Sequence, residues 1–238
     1  MVNTPARNAV SVAELTVGLM LSLARHIPAA HSMVQSGKWL DPAKPYISLR
    51  GVELAGKVAG IVGLGAIGSE VAKRLHAFDI AVLAYDPYVD PEKIAKIGAN
   101  QVDLNELMKR SDFVTIHCSV SPETIGLIDA EEIGLMKPTA YLINTAGWEI
   151  VDEKALLGAL EQRRIAGAAF DTFQTHPVSP NSPFLKLDNV VLTPHIGGAT
   201  DGTVKRYSQM MAEDIERFID GRRPQNLVNP EVWTENAR

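Results

Sequence analysis

The most constraining stretch of this sequence is short. Five apolar residues, Val58–Val62, run directly into Gly63-Leu64-Gly65-Ala66-Ile67-Gly68, and an amphipathic helical pattern starts there. The glycines stand where three separate physical demands meet. Gly63 permits a tight turn, Gly65 leaves the backbone without a Cβ where a pyrophosphate would approach, and Gly68 lets the helix lie close to the strand. A helix starting at Ala66 and Ile67 points its unpaired N–H groups and positive dipole end at the same place, so both residues are candidate contacts of the anion. A second apolar run, residues 80–85, ends at Asp86-Pro87, and Asp86 follows Gly68 by 18 residues. That is close to the spacing of about 20 at which a carboxylate meets the adenosine ribose of a bound dinucleotide. A carboxylate there accepts hydrogen bonds from both ribose hydroxyls and repels a 2′-phosphate, which favours NAD over NADP. A structural glycine turn without a ligand is the plain alternative.

The rest of the chain repeats the strand-then-helix rhythm. Further apolar runs occur at Phe113–Ile116, 140–143, 165–170 and Val190–Leu192. Helical patterns occupy 66–77, Leu104–Arg110, 151–162 and 201–220, with Asp103 placed to cap the second and Asp152-Glu153 in the first turn of the third. The strand runs are apolar throughout rather than alternating, so both of their faces are expected to be buried. That belongs to a parallel sheet between helices: an α/β, doubly wound Rossmann fold. Ala9–Ala24 is apolar around most of its circumference and needs cover on every side, so it is expected to be a long N-terminal dimer-forming helix. The organisation expected is an entry segment with that helix over 1–30, the dinucleotide-binding domain over 31–224, and a shortened return segment over 225–238.

Composition excludes other classes. There are 23 Lys+Arg against 28 Asp+Glu, for a net charge of −5, and no basic stripe, so a nucleic-acid partner is not expected. The apolar stretch near the start is interrupted by Ser11, Glu14, Thr16 and Ser22 and closed by Arg25 and His26, so neither a membrane span nor a signal peptide is expected. The single cysteine, Cys118, excludes an internal disulfide framework, and His26, His31, His76 and His117 have no metal-ligand spacing, so no metal is expected. A cytoplasmic protein is the expectation.

Several motifs in one order carry a resemblance. Asn3-Thr4-Pro5 with Val12-Ala13-Glu14-Leu15-Thr16 is followed by the glycine loop and Asp86-Pro87. Then come Pro122-Glu123-Thr124, Met136-Lys137-Pro138, Asn144-Thr145-Ala146, Val151-Asp152-Glu153, Ala166-Gly167-Ala168-Ala169-Phe170-Asp171 and Thr193-Pro194-His195. Together they resemble the cofactor-binding domain of the D-isomer-specific 2-hydroxyacid dehydrogenases, almost end to end. The resemblance implies NAD as cofactor, hydride transfer to or from a 2-hydroxy or 2-oxo acid, a homodimer, and a substrate domain that is absent here. It makes His195 the proton-carrying residue. It adds Cys118, Ser119, Thr124, Thr145, Ala146, Gly147, Asp171 and Gly197 to the cofactor contacts, with His195 itself close by.

The sequence also departs from that family. Gly147 and then Trp148 stand where the family has a substrate-binding arginine and a small residue. By register His176 takes the place of the acid that partners the catalytic histidine, and is a second candidate for proton transfer. Ser119 replaces the family's proline. Trp148 could fill the space of the missing guanidinium or anchor a partner. An intact dinucleotide loop beside a stripped substrate site implies weak or absent turnover. The alternative is a non-catalytic NAD(H)-binding interaction or redox-sensing module.

Overall fold

Strands that are apolar on both faces need cover on both faces, and here the chain supplies it. The structure is a computed structural model and describes residues 1–233. Residues 234–238, the end of the expected return segment, lie outside the described residues. In chain order the elements are α1 (Ala9–Ala24), α2 (Ile27–Gln35), α3 (Lys44–Ser48), β1 (Val58–Val62), α4 (Ala66–His76), β2 (Ala81–Tyr85), α5 (Pro91–Lys96), β3 (Ala99–Gln101), α6 (Leu104–Arg110), β4 (Phe113–Ile116), α7 (Ala130–Leu135), β5 (Tyr141–Asn144), α8 (Glu153–Glu161), β6 (Gly167–Phe170), β7 (Val190–Leu192) and α9 (Asp201–Ile219). Short 3-10 turns lie at Trp148–Ile150, Pro183–Lys186 and Pro230–Val232.

Among the described residues the strands form one seven-stranded sheet in the order β3-β2-β1-β4-β5-β6-β7, and every neighbouring pair is parallel. The order reverses between β1 and β4, and at such a switch point a crevice opens beyond the carboxyl ends of the strands. Alternate strand residues feed two cores. Ala59, Ile61, Ile143 and Ala169 pack with Met20, Val71, Leu75 and Ile94 from α1, α4 and α5. Val62, Leu142, Ala168 and Phe170 pack with Leu107, Ile133 and Leu156 from α6, α7 and α8. Fully burying one such side chain contributes about 1.5–3 kcal/mol, which is why the apolar runs stay paired in this register.

The expected strands and the four expected helices form, with ends within two residues. Asp103 caps α6 by accepting from the Glu106 N–H at 2.7 Å. Five elements were not anticipated: α2, α3, α5, α7 and β3. β3 is a three-residue edge strand with a polar sequence. α5 starts on the Asp90 cap with Pro91 in its first turn, and α7 on a capping box of Asp129 and Glu132, so both carried readable start signals.

α1 finds most of its cover within this one chain. Val12, Ala13, Val17, Leu19, Met20 and Leu23 are buried within this one chain, where the helix packs on α4, β5, β6 and β7. Cover for α1 therefore does not require a second subunit. Exposed apolar side chains sit just after it instead: Val34 on α2, Trp39 and Leu40 in the connection, Tyr46 and Ile47 on α3. The chain's two ends meet, with the Asn3 N–H donating to Asn226 O and the Val228 N–H to Met1 O. Among the described residues no single helix is long and apolar enough to cross a membrane.

Candidate active site

The carboxyl ends of β1, β2, β4, β5 and β6 bring the sequence-predicted residues to one edge of the sheet. At the end of β1, Gly63 has φ +91°, and a Cβ there would lie 2.5 Å from the Cys118 backbone nitrogen. Gly68 is equally obligate, since its Cβ would lie 2.2 Å from Gly63 O. The position expected to admit a ligand behaves differently: a Cβ at Gly65 would meet nothing within 4 Å. Gly65 starts α4 in extended conformation with no side chain capping the helix, Ala66 is exposed beside it, and Ile67 is half-buried against the first core. The helix end thus keeps its N–H groups free for an anion.

A cleft of about 360 Å³ runs from this turn along β2 and β4, walled by Gly63, Gly65, Asp86, Pro87, Cys118, Ser119 and Thr124. Asp86 is fixed by backbone donors. Its Oδ2 accepts from the Leu64 N–H at 2.8 Å, and its Oδ1 from Tyr88 and Val89 N–H at 2.9 and 3.2 Å. A carboxylate has about four lone-pair sites, so acceptor capacity remains for a ligand. Thr124 braces its own loop, donating to Ser119 O at 2.6 Å and accepting from the Ser121 N–H. The wall also holds residues that the sequence did not mark as cofactor contacts, Tyr88, Glu123 and His117 among them. The exposed Tyr88 hydroxyl donates to the Glu123 carboxylate across the cleft. His117 lies at the cleft as well, but the sequence reading considered it only as a metal ligand. Burial pushes the His117 imidazole down to about 3, so it is neutral at ordinary pH. Burial, and then the Asp86 charge, push the Cys118 thiol up, which makes it a poor nucleophile.

The β5 end continues the edge. Asn144 holds the turn after it, its Nδ2 donating to Gly147 O at 2.9 Å while its Oδ1 accepts from the Ala146 N–H. Thr145 Oγ1 lies 3.1 Å from Thr16 Oγ1 and 3.5 Å from His117 Nδ1. Gly147 is crowded: a Cβ would lie 2.1 Å from Val120 Cγ2. The open question about Trp148 is settled by its burial at 7% exposure among Phe170, Phe173 and Phe184, with Nε1 donating to Glu153 at 3.0 Å. It belongs to the second core and is not available to anchor a partner.

At the β6 end, Asp171 is 2% exposed and accepts from Thr193 Oγ1 at 2.6 Å, the Ile196 N–H at 2.9 Å and the Gly197 N–H at 2.7 Å. The carboxylate is therefore a strand-end anchor for the loop carrying His195. Gly197 is needed for that approach, because its Cβ would lie 2.9 Å from Asp171 Oδ2. His195 has φ +56° and is exposed, with its Nδ1 3.0 Å from His176 Nε2. Only one proton can sit in that contact, so if His195 Nδ1 donates it, the lone pair of the neutral ring is on Nε2. His176 thus lies beside His195. Among the described residues no group of three or more His, Cys, Asp and Glu is placed to hold a metal ion.

The open position at Gly65, the free helix end and the anchored Asp86 all fit a dinucleotide. Comparison with known proteins agrees. Residues 17–197 match the family described as D-isomer specific 2-hydroxyacid dehydrogenase, NAD binding domain. The chain is 43% identical over 230 residues to D-3-phosphoglycerate dehydrogenase of Methanocaldococcus jannaschii, covering 96% of this chain but 43% of that protein. It is 44% identical over 232 residues to glyoxylate reductase of Thermofilum pendens, covering 97% of this chain and 68% of that protein. The crystal structure of D-lactate dehydrogenase with NAD+ from Lactobacillus jensenii is similar with a TM-score of 0.84 at 29% identity, over 95% of this chain and 71% of that one. The chain thus spans less than half the length of the first of these relatives.

Proposed function

The chain belongs to the D-isomer specific 2-hydroxyacid dehydrogenase family as an NAD-binding domain, and from that premise we propose that it is the cofactor-holding part of an enzyme of that chemistry, with weak or absent turnover. The observation that carries the cofactor half is the unobstructed cradle at Gly65 between the α4 N-terminus and Asp86. The N–H groups of α4 hold the pyrophosphate, and Asp86 holds the ribose and disfavours a 2′-phosphate. Cys118 and Ser119 wall the cleft, and Thr145, Ala146 and Gly147 follow at the end of the strand paired with β4.

A bound nicotinamide would supply or receive the hydride. His195 does the proton work at Nε2, giving a proton to the substrate oxygen when the 2-oxo acid is reduced and taking it back in oxidation. His176 keeps the His195 ring in one tautomer through Nδ1 but adds no negative charge to stabilise the charged ring. Gly147 offers no guanidinium to the substrate carboxylate. Hydrogen bonds to charged groups contribute about 1.5–3 kcal/mol each, so a missing bidentate pair implies roughly 10²–10⁴ in rate. The exposed apolar residues of α2 and α3 support a homodimer, with cover for them coming from a second copy.

Calorimetric titration tests the cofactor half: NADH is expected to bind about tenfold or more tighter than NADPH, and no heat with NADH overturns the reading. Assay with NADH and glyoxylate or hydroxypyruvate tests the rest. Turnover near or above about 1 s⁻¹ overturns weak activity. Restoring arginine needs room, so Gly147→Arg is expected to raise turnover only together with Val120→Ala. No gain from that pair in a longer chain that carries a substrate domain, with NADH still bound, favours the non-catalytic module.

A further inference from the structure

Two side chains for which the mechanism has no use join the walls of the cleft at one end. Tyr88 lines it from the turn after β2 and Glu123 from the loop after β4, and the Tyr88 hydroxyl donates to the Glu123 carboxylate. That end is the one assigned to adenosine. Tyr88 follows Asp86 by two residues, and its N–H donates to Asp86 Oδ1 at 2.9 Å. Thr145, Asp171 and His195 follow β5, β6 and β7, which lie on the other side of β1 in the sheet. The backbones under the bridge are braced. Asp86 also accepts from the Val89 N–H at 3.2 Å. Thr124, next to Glu123, donates to Ser119 O at 2.6 Å and accepts from the Ser121 N–H at 2.8 Å. The bridging side chains themselves are free to turn. Tyr88 is 77% exposed and Glu123 is exposed, and among the described residues the bond between them is the one hydrogen bond or ion pair that either side chain makes. Exposed side chains change rotamer in picoseconds to nanoseconds, so this bridge opens by rotation while the frame beneath it stays in place.

We propose that Tyr88 and Glu123 form a clasp over the adenosine end of the cleft, which opens to admit the dinucleotide and closes again behind it. The proposal rests on the NAD-binding reading above and adds a gate to that site. A bridge that opens and closes faster than the cofactor exchanges scales passage in both directions by the fraction of time it stands open. It closes with or without cofactor beneath it, so entry and exit slow together and the equilibrium affinity stays nearly the same. A residue that only touched the bound cofactor would change the exit rate and the affinity instead.

Stopped-flow fluorescence of NADH binding to the intact chain tests it. Tyr88→Phe keeps the ring and removes the donor; Glu123→Ala removes the acceptor. Each is expected to raise the association and the dissociation rate together by about threefold to tenfold, the factor that one hydrogen bond sets on the open fraction, with Kd changed less than about twofold. The double variant is expected to be no faster than either single one, because both remove the same bond. ADP-ribose, chased off with NADH, is expected to leave faster by the same factor, since it carries the adenosine end alone. The melting temperature is expected to stay the same in all three variants, as both side chains are exposed. Unchanged rates, a change confined to the dissociation rate and Kd, or single effects that multiply in the double variant overturns the clasp while leaving NAD binding intact. Faster exchange of NADH without faster exchange of ADP-ribose overturns its placement at adenosine. No NADH binding by the unsubstituted chain overturns the underlying reading, and the clasp with it.

Discussion

Asp171 and His195 divide the work at one loop. A non-glycine residue in the left-handed region costs about 1–2 kcal/mol, and His195 sits there at φ +56° because its loop is tied to a buried carboxylate. Asp171→Ala is expected to leave two backbone N–H groups unpaired and to destabilise the chain by about 2–4 kcal/mol. Urea unfolding gives the total, and hydrogen exchange is expected to rise first at Ile196 and Gly197. His117 makes a second prediction, on pH. Its folded-state value lies at about 3, below the usual 6.5, so between those values the unfolded chain binds the extra proton. Stability is therefore fully present above pH 6.5 and falls as pH drops, by about 1.4 kcal/mol per unit until about pH 3. His117→Phe is expected to flatten that part of the urea-midpoint profile between pH 4 and 7; an unchanged slope there refutes it. The glycines and Asp86 were legible from their spacing, and His195 only through the resemblance that the ordered motifs carry. The anchoring role of Asp171 and the burial of His117 were not, because the residues that surround them are distant in the chain.

The elements follow from local signals wherever those signals are strong. The apolar, non-alternating strands and the capped helix α6 appear where patterning places them, and Asp103→Ala is expected to cost about 1 kcal/mol by removing its cap. The β1-turn-α4 unit is held by sterics instead. Gly68→Ala is expected to push α4 off β1, because the new Cβ meets the Gly63 carbonyl oxygen at 2.2 Å and backbone cannot swing aside. Both a lower melting temperature and weaker NADH binding are expected; Gly65→Ala, whose Cβ meets nothing within 4 Å, is expected to weaken NADH binding while leaving the melting temperature nearly unchanged. Equal effects of the two variants on melting temperature contradict that division. The polar edge strand β3 escaped the sequence reading because three residues at a sheet edge carry almost no pattern.

At the scale of the whole molecule, the parallel sheet leaves its carboxyl edge for the ligand and its flanks for helices. The exposed Leu40 and Ile47 predict self-association. Sedimentation velocity at micromolar concentration is expected to find a dimer that Leu40→Glu with Ile47→Glu dissociates; a monomer before substitution contradicts it. What the sequence determined by itself was the architecture and the cofactor cradle. Apolar runs without alternation can be buried only between two helical layers, and the glycine spacing tolerates few backbones. What only the tertiary structure decided was which contacts each polar group makes. Trp148 went to the core, Asp171 to the His195 loop, and His176 to within hydrogen-bond distance of His195. Those pairings join strand ends far apart in the chain, and only the closing of the sheet brings them within reach.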